Sequence, residues 1–596
     1  MKRFCIVIFL CIFPHVITWA QNIPVSLSYT KVYDFIDELI MDGVVTNQTA
    51  IRPYTRNQIA DMLTQAQRAD SLLSNRQQNE LKFYLNEFAL ENDLMVDNFV
   101  QYTDRRTFSL SLADPQFSYK SLNNMFKMRI RPILGGDVML SKKGAIIQRW
   151  WGAEIQMDIA KHLSIWGSLR DNSWNGNWLN TDYFPSDYAR INGARIHYGA
   201  SQQTPALSNI PGVQYKEATY GGDFSDSKGG INLYSWWGSI GIQRENIRWG
   251  DSYHSSNILS GRNPAVPMIT LQLTPCKWFQ FDYFHVWLVS NVLDSTYYYL
   301  ENTTNGNASL KNYRPYNKFM AANMFTFTPI KHLSISLGNS IVYAEQSLQV
   351  AYLIPIAFYK SLDHLLTKGV RTQNQNSQVF ASISVRPVNH LQLYGSFFLD
   401  EVKFSRFKLS EPENNPISYL VGFNWSGWPI DGLSLKGEFM RSYIACYTHS
   451  IDVLTWASNS YNMGHYMGDN AQSIYAELAY RPVRGLLLKL SYTNDMKYNS
   501  YSYLRDNISE TIAQKPFDHC IYRNDEVRFD GIYEAHPNMY LRLSIGYNNA
   551  QGFDNLKSDP LPSEYIGTAQ QYLDAFCPLY YQGKNLTISG SFSFGF

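Results

Sequence analysis

The first hundred residues of the chain carry hydrophobic positions at helical spacing. Three short stretches place apolar side chains every three or four residues. The second and third stretches each begin at a capping box, Thr55 with Gln58 and Ser74 with Gln77, in which each side chain satisfies the other residue's free backbone N–H. We therefore expect a bundle of three helices within residues 21–100. The apolar positions are Val32, Phe35, Ile36, Leu39, Ile40, Ile59, Met62, Leu63, Ala66, Leu81, Tyr84, Leu85 and Phe88.

From about Phe126 onward the hydrophobic period changes from 3.6 to 2. Leu541 and Leu543, for example, alternate with Arg542 and Ser544. Each such segment is a strand with one apolar and one polar face. We expect roughly 18 strands in residues 101–596, with an even number between about 16 and 20. Further examples begin at Leu333, Leu433, Leu486 and Leu586.

The links between these strands alternate between short and long. Short links contain a proline, and the prolines are spaced by 54, 58, 42, 53 and 55 residues. Each interval holds two strands of about ten residues and one long loop, which is typical of an outer-membrane barrel. The prolines are Pro275, Pro329, Pro387, Pro429, Pro482 and Pro537, and the long polar links include residues 294–312, 359–376, 446–469 and 551–583.

The last ten residues also alternate, and they end at Phe596. A final strand with a terminal aromatic residue resembles the signal that the barrel-assembly machinery of Gram-negative bacteria recognises. The other interpretation is an ordinary edge strand. Exposed edges invite aggregation and closure removes them, so we expect a closed all-β transmembrane barrel with Phe596 as its assembly signal.

The start of the chain predicts export. Lys2 and Arg3 precede the apolar run 4–13, which is too short to span a bilayer, and small residues at Thr18 and Ala20 favour cleavage before Gln21. No later apolar run approaches the roughly 20 residues of a membrane helix. We expect a signal peptide at residues 1–20, a periplasmic helical unit at 21–100 and an outer-membrane barrel with long extracellular loops at 101–596.

Charge is scarce and should be confined to one face of the barrel. Charged residues make up 17% of the chain and the net charge is +1, so there is no basic footprint for nucleic acid. A charge facing lipid at mid-bilayer costs a few kcal/mol. We expect the strand charges to point into the lumen, where they either solvate a channel or pair across a filled one. They are Lys127, Arg129, Arg131, Arg195, Asp282, Lys436, Glu438, Glu477, Lys489 and Arg542.

Four cysteines remain after the signal peptide, namely Cys276, Cys446, Cys520 and Cys577. An exported protein permits disulfides, and four cysteines allow three pairings. The strand order places Cys276 at the end of the barrel with short links, far from the other three. We therefore expect at most one disulfide, among Cys446, Cys520 and Cys577.

The sequence offers no catalytic constellation. It lacks the His-Glu-x-x-His zinc motif, the Gly-x-Ser-x-Gly nucleophile turn and the Gly-x-x-x-x-Gly-Lys phosphate loop. The twelve histidines are scattered. We expect no enzymatic activity, no cofactor and no metal site.

Two clusters are candidates for polysaccharide binding. Trp174 and Trp178 lie among Asn and Asp residues, an arrangement that suits sugars because a ring stacks on the C–H face and amides bond to hydroxyls. Interfacial aromatic packing would explain the same residues. The second cluster could bind an acidic glycan through charge-assisted hydrogen bonds, or form an internal network that holds a loop. Its members are Arg244, Arg248, Trp249, Asp251 and Arg262.

Several of these segments together resemble the Wzi-type capsule assembly proteins of the outer membrane. The resemblance covers nearly the whole mature chain. It rests on the helical start at 32–63, on Arg248-Trp249-Gly250 followed by Leu259-Ser260 and Pro264, on residues 464–470 and on the barrel terminus. It implies an 18-stranded barrel with a periplasmic helical bundle. It also implies a non-enzymatic, lectin-like role in holding capsular polysaccharide at the cell surface, within outer-membrane lipid.

A second functional hypothesis is a porin or a structural tether. Pro53-Tyr54-Thr55-Arg56 also looks like part of an S-layer homology module, which binds cell-wall polymers. A helical unit that contacts the wall would follow. A capped helix alone explains the same residues.

Overall fold

The structure, a computed structural model, describes residues 22–46, 49–92, 108–111, 114–121, 125–176, 189–191, 194–196, 213–218, 221–290, 292–302, 309–366, 375–400, 416–449, 451–459, 461–498, 516–517, 519–554, 568–577 and 579–595. The expected signal peptide, Trp178 and Phe596 lie outside the described residues.

Eighteen antiparallel strands close into one barrel. In chain order they are β1 (Phe126–Ser141), β2 (Gly144–Ile159), β3 (Leu163–Gly176), β4 (Gly221–Ser235), β5 (Gly238–Glu245), β6 (Val266–Cys276), β7 (Phe279–Leu288), β8 (Lys318–Ile330), β9 (Leu333–Ala344), β10 (Gln375–Val388), β11 (Leu391–Asp400), β12 (Ile417–Ser426), β13 (Leu433–Ser442), β14 (Ala471–Tyr480), β15 (Leu486–Tyr498), β16 (Cys520–His536), β17 (Met539–Gly552) and β18 (Gly583–Phe594).

Each barrel strand pairs with its neighbours in chain order, and the last strand closes on the first. β18 pairs with β1 from Thr587 opposite Ser141 to Phe594 opposite Leu134. A hairpin of Phe108–Ser111 and Asp114–Lys120 continues the same edge of β1 below β18. The predicted all-β barrel and its count of 18 strands are confirmed.

The two ends of the barrel differ as the sequence predicts. We call the end with short links the turn end and the opposite end the loop end. The six prolines lie in or beside short links at the turn end, and the four long polar links lie at the loop end. One link at the loop end is short, because β1 and β2 are joined by Lys142 and Lys143 alone. Strand Val213–Ala218, from the long link between β3 and β4, adds to β4 near that end.

The two faces of the wall also follow the predicted alternation. Apolar side chains such as Leu337, Leu490 and Leu543 point outward, and about half of each is exposed. The predicted lumen charges Lys127, Arg129, Arg131, Asp282, Lys436, Glu438, Glu477, Lys489 and Arg542 all point inward. The prediction that Arg195 points into the lumen from a barrel strand is wrong. Arg195 lies in a small hairpin, Ala189–Ile191 with Ala194–Ile196, that is separate from the barrel sheet.

Four helices precede the barrel among the described residues: α1 (Thr30–Met41), α2 (Arg56–Arg68), α3 (Asn75–Glu87) and the short α4 (Ala89–Asn92). They lie within the predicted unit 21–100. Both predicted capping boxes form, on Thr55 and on Ser74. The predicted apolar positions of all three long helices are buried in one cluster, which also includes Tyr540 of β17.

These helices close the turn end of the barrel. Tyr84 donates a hydrogen bond to Glu534 Oε2 on β16 at 2.9 Å, and Lys127 of β1 donates to the carbonyl of Leu90 at 2.7 Å. The backbone N–H of Gly485 at a turn donates to Glu80 at 3.3 Å. The helical unit is therefore packed into the barrel mouth.

Two further helices belong to loop-end links: α5 (Tyr359–Leu366) follows β9, and α6 (Ala569–Phe576) follows β17. No helix among the described residues is long and apolar enough to cross a membrane. Cys276, Cys446, Cys520 and Cys577 are free thiols, with Cys446 and Cys577 buried.

Candidate functional site

The link between β5 and β6, residues 246–265, folds into the lumen. Its strand Arg248–Trp249 pairs with Ile51–Arg52 of the helical unit on one side and with Leu259–Ser260 on the other. We call these three short strands the ribbon. Gly250 has a φ of +106°, which an L side chain rarely adopts, and its N–H donates to the carbonyl of Ala50 at 3.0 Å. The ribbon thus joins the helical unit to the interior of the barrel.

Trp249 is the hydrophobic centre of the ribbon. Its ring lies 4.8 Å from Phe284 of β7 and 5.2 Å from Phe380 of β10, measured between centroids. The side chain is fully buried. A sugar has no access to either ring face in this arrangement, so the position observed for Trp249 is that of a core residue.

Arg248 and Asp251 lie beside charged residues of the helical unit. Arg248 is opposite Arg52, whose guanidinium is 2.5 Å from Asp37. Burial, and then the charge of Arg52, lower the pKa of Arg248. Burial raises the pKa of Asp251 to about 6, against the opposing effect of Arg52. The Nε of Arg248 is buried and has no hydrogen-bond partner among the described residues, so this guanidinium has a donor to spare.

Arg262 packs in an aromatic group farther along the same link. Its guanidinium lies 4.6 Å from the centre of the Tyr466 ring and donates to the carbonyl of His254 at 2.9 Å. His254 stacks on Tyr475 of β14 at 4.2 Å, and its Nε2 is 2.7 Å from the Tyr466 hydroxyl. Burial, and then the charge of Arg262, lower the pKa of His254 well below its ordinary value, so this imidazole is neutral at pH 7.

A second loop-end link, residues 443–470, folds into the lumen against the first. The backbone N–H of Ser260 donates to the carbonyl of Met463 at 2.8 Å. Trp456 donates from Nε1 to the carbonyl of Ile258 at 3.0 Å. Two of the segments that carry the family resemblance, around 248–264 and 464–470, are in direct contact through Arg262 and Tyr466. We call links 246–265 and 443–470 together the lumen insert.

Side chains of the barrel wall bind the lumen insert, and the sequence did not predict that they act together. Glu438 of β13 accepts hydrogen bonds from the backbone N–H groups of Tyr253 and His254, and one from the Tyr394 hydroxyl at 2.7 Å. Lys436 lies 4.2 Å from the centre of the Tyr253 ring. The inward direction of Lys436 and Glu438 was predictable from strand alternation, but their partner in the lumen was not.

Trp174 lies on the inner face of β3, in a hydrophobic cluster that also includes Tyr466 and Met467 of the lumen insert. It makes an edge contact with Phe224 of β4 at 4.9 Å between centroids and is almost fully buried. The same cluster contains Phe576 of α6 and Tyr580 after it, so the link after β17 covers this part of the lumen.

Arg244 lies on the opposite side of the wall from the other predicted site residues. It shares its outward direction with Ile240 and Ile242 on β5, both of which are exposed. Its guanidinium donates to the carbonyls of Ser227 at 2.5 Å and Ala265 at 3.1 Å. The structure therefore brings Arg248, Trp249, Asp251 and Arg262 into one region. It places Trp174 in a wall cluster that also includes Tyr466 and Met467, and it leaves Arg244 on the outer face. The binding role of all seven candidates stays a prediction.

A hairpin at the loop end, whose residues the sequence analysis did not single out, carries an exposed aromatic surface. Leu293–Asn302 pairs with Ser309–Pro315 in the link between β7 and β8. Tyr297, Tyr298 and Tyr299 are each about half exposed. Three consecutive tyrosines in a polar link were the available signal. We call Leu293–Asn302 with Ser309–Pro315 the tyrosine hairpin.

Cations lie against the rings of the tyrosine hairpin. The guanidinium of Arg314 is 5.1 Å from the Tyr297 ring centre and 5.7 Å from that of Tyr299. On the other face Lys311 is 4.5 Å from the centre of the Tyr298 ring. Both faces therefore offer exposed rings beside a positive charge. Among the described residues no group of three His, Cys, Asp or Glu side chains is placed to hold a metal ion.

The fold and the filled lumen define the protein as a closed 18-stranded barrel of the outer-membrane type with a helical unit in its mouth. No protein-family model and no curated protein matches the sequence. Among solved structures the chain is similar to Wzi of Escherichia coli, described as an outer-membrane protein involved in group 1 capsule assembly and a carbohydrate-binding β-barrel. The TM-score is 0.51 at 11% identity, over 97% of this chain and 100% of that one.

Two other solved structures are similar at a lower level. OprD of Pseudomonas aeruginosa gives a TM-score of 0.37 at 9% identity, over 80% of this chain and 96% of that one. OccAB2 of Acinetobacter baumannii gives 0.39 at 8%, over 78% and 97%. The resemblance to Wzi-type proteins is therefore confirmed at the level of the fold.

Proposed function

We propose that this protein is a non-enzymatic outer-membrane protein that binds capsular or other surface polysaccharide and holds it at the cell surface. The loop end is then extracellular and the helical unit is periplasmic. The fold shared with Wzi, which is described as carbohydrate-binding, supports this class of function. The proposal includes no cofactor, and its ligand is a long polymer rather than a small solute.

The observation that carries the proposal is the tyrosine hairpin. Tyrosine rings present an apolar face for the C–H face of a sugar and a hydroxyl for hydrogen bonds. Arg314 and Lys311 add positive charge beside the rings, which suits the carboxylates or phosphates of an acidic glycan. Tyr297 and Tyr299 share Arg314 on one face, so adjacent sugars of one chain can contact both rings.

The filled lumen favours binding over transport. The helical unit, the lumen insert and the link with α6 all pack against inward-facing wall residues. The tether hypothesis gains no support from its motif, because Tyr54 and Arg56 are used internally. The guanidinium of Arg52 lies 5.2 Å from the centre of the Tyr54 ring, and Nε of Arg56 lies 2.5 Å from the carboxylate of Glu91.

Arg248 is the lumen residue that best fits a binding role in the predicted cluster, because its Nε is unused by the described residues. Trp249 and Arg262 support it by holding the lumen insert in place. Arg248 belongs to the lumen insert, so a polysaccharide end that enters from the loop end would meet it only after passing other residues of that insert. We therefore place the main contact at the tyrosine hairpin and a secondary one at Arg248.

The test compares cell-attached and shed polysaccharide in a strain that lacks the protein, complemented with variants. We expect wild type to restore attachment and the double variant Tyr297→Ala with Tyr299→Ala to leave most glycan in the medium at a normal total amount. The matched control, Tyr297→Phe with Tyr299→Phe, keeps the rings and should retain most of the attachment. Normal heat-modifiable migration on gels would show that each variant assembles.

Two results would contradict the proposal. Unchanged attachment in the strain lacking the protein would remove the polysaccharide role altogether. Full attachment in the double alanine variant, with loss in Arg248→Gln, would move the contact from the hairpin into the lumen. Co-sedimentation of the full chain with purified wall sacculi would instead support the tether.

The assembly role of Phe596 belongs to the same proposal. The final strand β18 alternates apolar and polar residues up to Phe594 and closes the barrel on β1. We expect Phe596→Ala to lower the amount of barrel in the outer membrane, measured by fractionation, while Phe596→Tyr leaves it nearly unchanged. Equal amounts of both variants would show that the barrel-assembly machinery does not use this residue.

A further inference from the structure

One sector of the outer wall breaks the apolar pattern of the rest of the barrel. On β8, Met320, Ala322 and Met324 point inward to the cluster of Trp249, so Ala321 and Asn323 point outward. Outward side chains on other parts of the wall, such as Leu337, Leu490 and Leu543, are apolar and exposed. Here Asn323, Asn339 on β9 and His285 on β7 are polar and buried. Something must therefore cover this sector from outside.

The cover is the link after β9, residues 345–366, which includes α5. Instead of projecting from the loop end, it folds back along the outside of β7, β8 and β9. Tyr352 packs on Tyr343 of β9 at 4.9 Å between ring centroids, and the hydroxyl of Tyr283 on β7 donates to the carbonyl of Tyr352 at 2.9 Å. Tyr352 and Tyr359 are fully buried against this wall.

The two outward asparagines form hydrogen bonds with backbone groups of this link. Asn323 Nδ2 donates to the carbonyls of Pro355 at 2.7 Å and Ala357 at 3.0 Å. The N–H of Tyr359 donates to Asn339 Oδ1 at 2.9 Å. Irregular backbone is tolerated at membrane depth only where its polar groups are satisfied, because each unsatisfied group costs several kcal/mol. The polar wall residues therefore have a specific use there.

From Ile354 to Phe358 the other side of the link is apolar and faces away from the barrel, whereas Ser361 and His364 of α5 are exposed polar residues. Ile354, Ile356 and Phe358 are 48%, 70% and 53% exposed. Leu337, the next outward residue on β9 from Asn339 toward the turn end, is itself 52% exposed. Val350, Leu365 and Leu366 extend the exposed face.

The position along the strand places this surface within the membrane. Asn339 is six residues from the start of β9 at Leu333. A strand rises about 3.3 Å per residue, and with a tilt of about 40° this puts Asn339 ~15 Å above the turn end, inside an apolar band about 25 Å tall. Ile354 and Ile356, in the backbone stretch bound by Asn323, lie at a similar height.

We propose that residues 350–358 form a re-entrant segment in the outer leaflet of the membrane, and that Ile354, Ile356 and Phe358 bind the acyl chains of its lipids. The inference rests on the proposed membrane location of the barrel. The barrel thus carries a lipid-contacting element that is not one of its strands. A second copy of this chain is the alternative occupant of the same surface, and the test separates the two.

The test places a nitroxide label at Ile356→Cys in the full chain carrying Cys276→Ser and Cys520→Ser, the two thiols that are not buried. The protein is reconstituted in phosphatidylcholine vesicles, and collisions of the label with oxygen and with a water-soluble nickel complex are compared. Leu337→Cys is the matched control on the lipid face of the wall. Leu72→Cys, on the exposed surface of the helical unit, is the aqueous control.

We expect the label at position 356 to collide preferentially with oxygen, as at position 337. Collisions dominated by the nickel complex at 356, with oxygen-dominated ones at 337, would overturn the re-entrant segment while leaving the barrel in the membrane. Nickel-dominated collisions at both would overturn the membrane location itself. A third result would assign the surface to a second copy and overturn lipid binding. In that case the label at 356 would collide with neither reagent, and its spectrum would show spin–spin broadening that grows with the protein-to-lipid ratio.

A second variant tests the role of the asparagine. Asn339→Ala removes the acceptor of the Tyr359 N–H and a donor to Ala357. We expect it to shift the label at 356 toward the nickel complex. Asn376→Ala, on the lumen face of β10, where Asn376 bonds to Asp400 at 3.1 Å, is the matched control and should leave the label unchanged. Equal behaviour of the two variants would show that Asn339 does not hold the segment in lipid.

Discussion

Glu87, near the end of α3, gathers much of the charge at the contact between the helices and the barrel. Its carboxylate accepts hydrogen bonds from both Nη atoms of Arg131, at 2.8 and 2.5 Å, and from Arg129 Nη1 at 3.2 Å. Arg56 of α2 approaches the same group at 3.3 Å. All four side chains are buried. Glu87 therefore contacts three cations in the barrel mouth, one of which, Arg56, also pairs with Glu91 at 2.5 Å.

Replacing Glu87 by Gln should weaken the contact between the helices and the barrel and lower the stability of the protein. Removing one partner of a buried ionic group costs about 3–5 kcal/mol, because the remaining charges stay buried without compensation. We expect a lower midpoint in the thermal unfolding of the purified full chain in detergent. Asp70→Asn, which also removes a carboxylate but from the exposed surface of the helical unit, is the control. Equal midpoints for the two variants would show that the arginines find other partners.

The same carboxylate predicts a pH dependence. Despite burial, which acts in the opposite direction, the charges of Arg131 and Arg129 hold the pKa of Glu87 well below its ordinary value of 4.5. A depressed carboxyl pKa gives stability that is present above the ordinary value and lost as pH falls below it. The difference in unfolding midpoint between wild type and Glu87→Gln should therefore stay constant from neutral pH to about 5 and shrink at lower pH. A difference that already declines between pH 7 and 6 would contradict this.

At the scale of elements, the helices depend on caps as well as on the barrel. The Thr55 side chain accepts from the N–H of Gln58, and the Gln58 side chain accepts from the N–H of Thr55. The Ser74 and Gln77 pair repeats this arrangement at α3. Helices of this length form only marginally alone, so caps and burial against Tyr540 must act together.

Thr55→Ala should weaken α2 by about 1 kcal/mol, the usual cost of losing an N-cap side chain. The effect should be local and appear as faster hydrogen exchange in the first turns of α2, measured by mass spectrometry on the full chain. Thr64→Ala is a matched control in the same helix, because the Thr64 hydroxyl donates to the carbonyl of Ala60 within the helix and caps nothing. Equal exchange in both variants would show that the barrel alone holds the helix start.

At the scale of the whole molecule, the lumen of the barrel is filled by protein rather than open. Arg52 of the helical unit is the strand-pairing partner of Arg248 in the ribbon. The ribbon contacts link 443–470, and that link contacts the wall through Lys318. Lys318 donates to the carbonyls of Thr455 and Ala457 at 2.6 and 2.7 Å. The helical unit, the lumen insert and the wall therefore form one connected interior.

A filled lumen predicts low conductance. We expect the purified full chain in planar bilayers to give only small or rare current steps, because the helical unit closes the turn end and the lumen insert occupies the middle. An open porin measured in the same apparatus is the control for insertion and sensitivity. Steady steps of porin size would show that the interior opens in a membrane and would favour the porin hypothesis.

The alternation of residues along the chain was by itself enough to determine the barrel. The start of β1 at Phe126, the prolines beside the short turns and the inward charges all follow from period two and the cost of charge in lipid. The capping boxes at Thr55 and Ser74 were equally readable, because each depends on residues three positions apart. These are local relations, and a sequence states them directly.

What only the tertiary structure decided is where the links go. Trp456 reaches Ile258 across 198 residues, Arg131 reaches Glu87 across 44, and both contacts depend on the curvature of the closed wall. Trp174 was expected to stack on sugars because its sequence neighbours are polar, but barrel closure turned its ring inward. Arg244 lies one strand position off the inner face, and Asn323 and Asn339 became buried only when a link folded over the outer wall. Period and caps arise from neighbours in the chain, whereas burial of a link depends on surfaces that exist only after the barrel has closed.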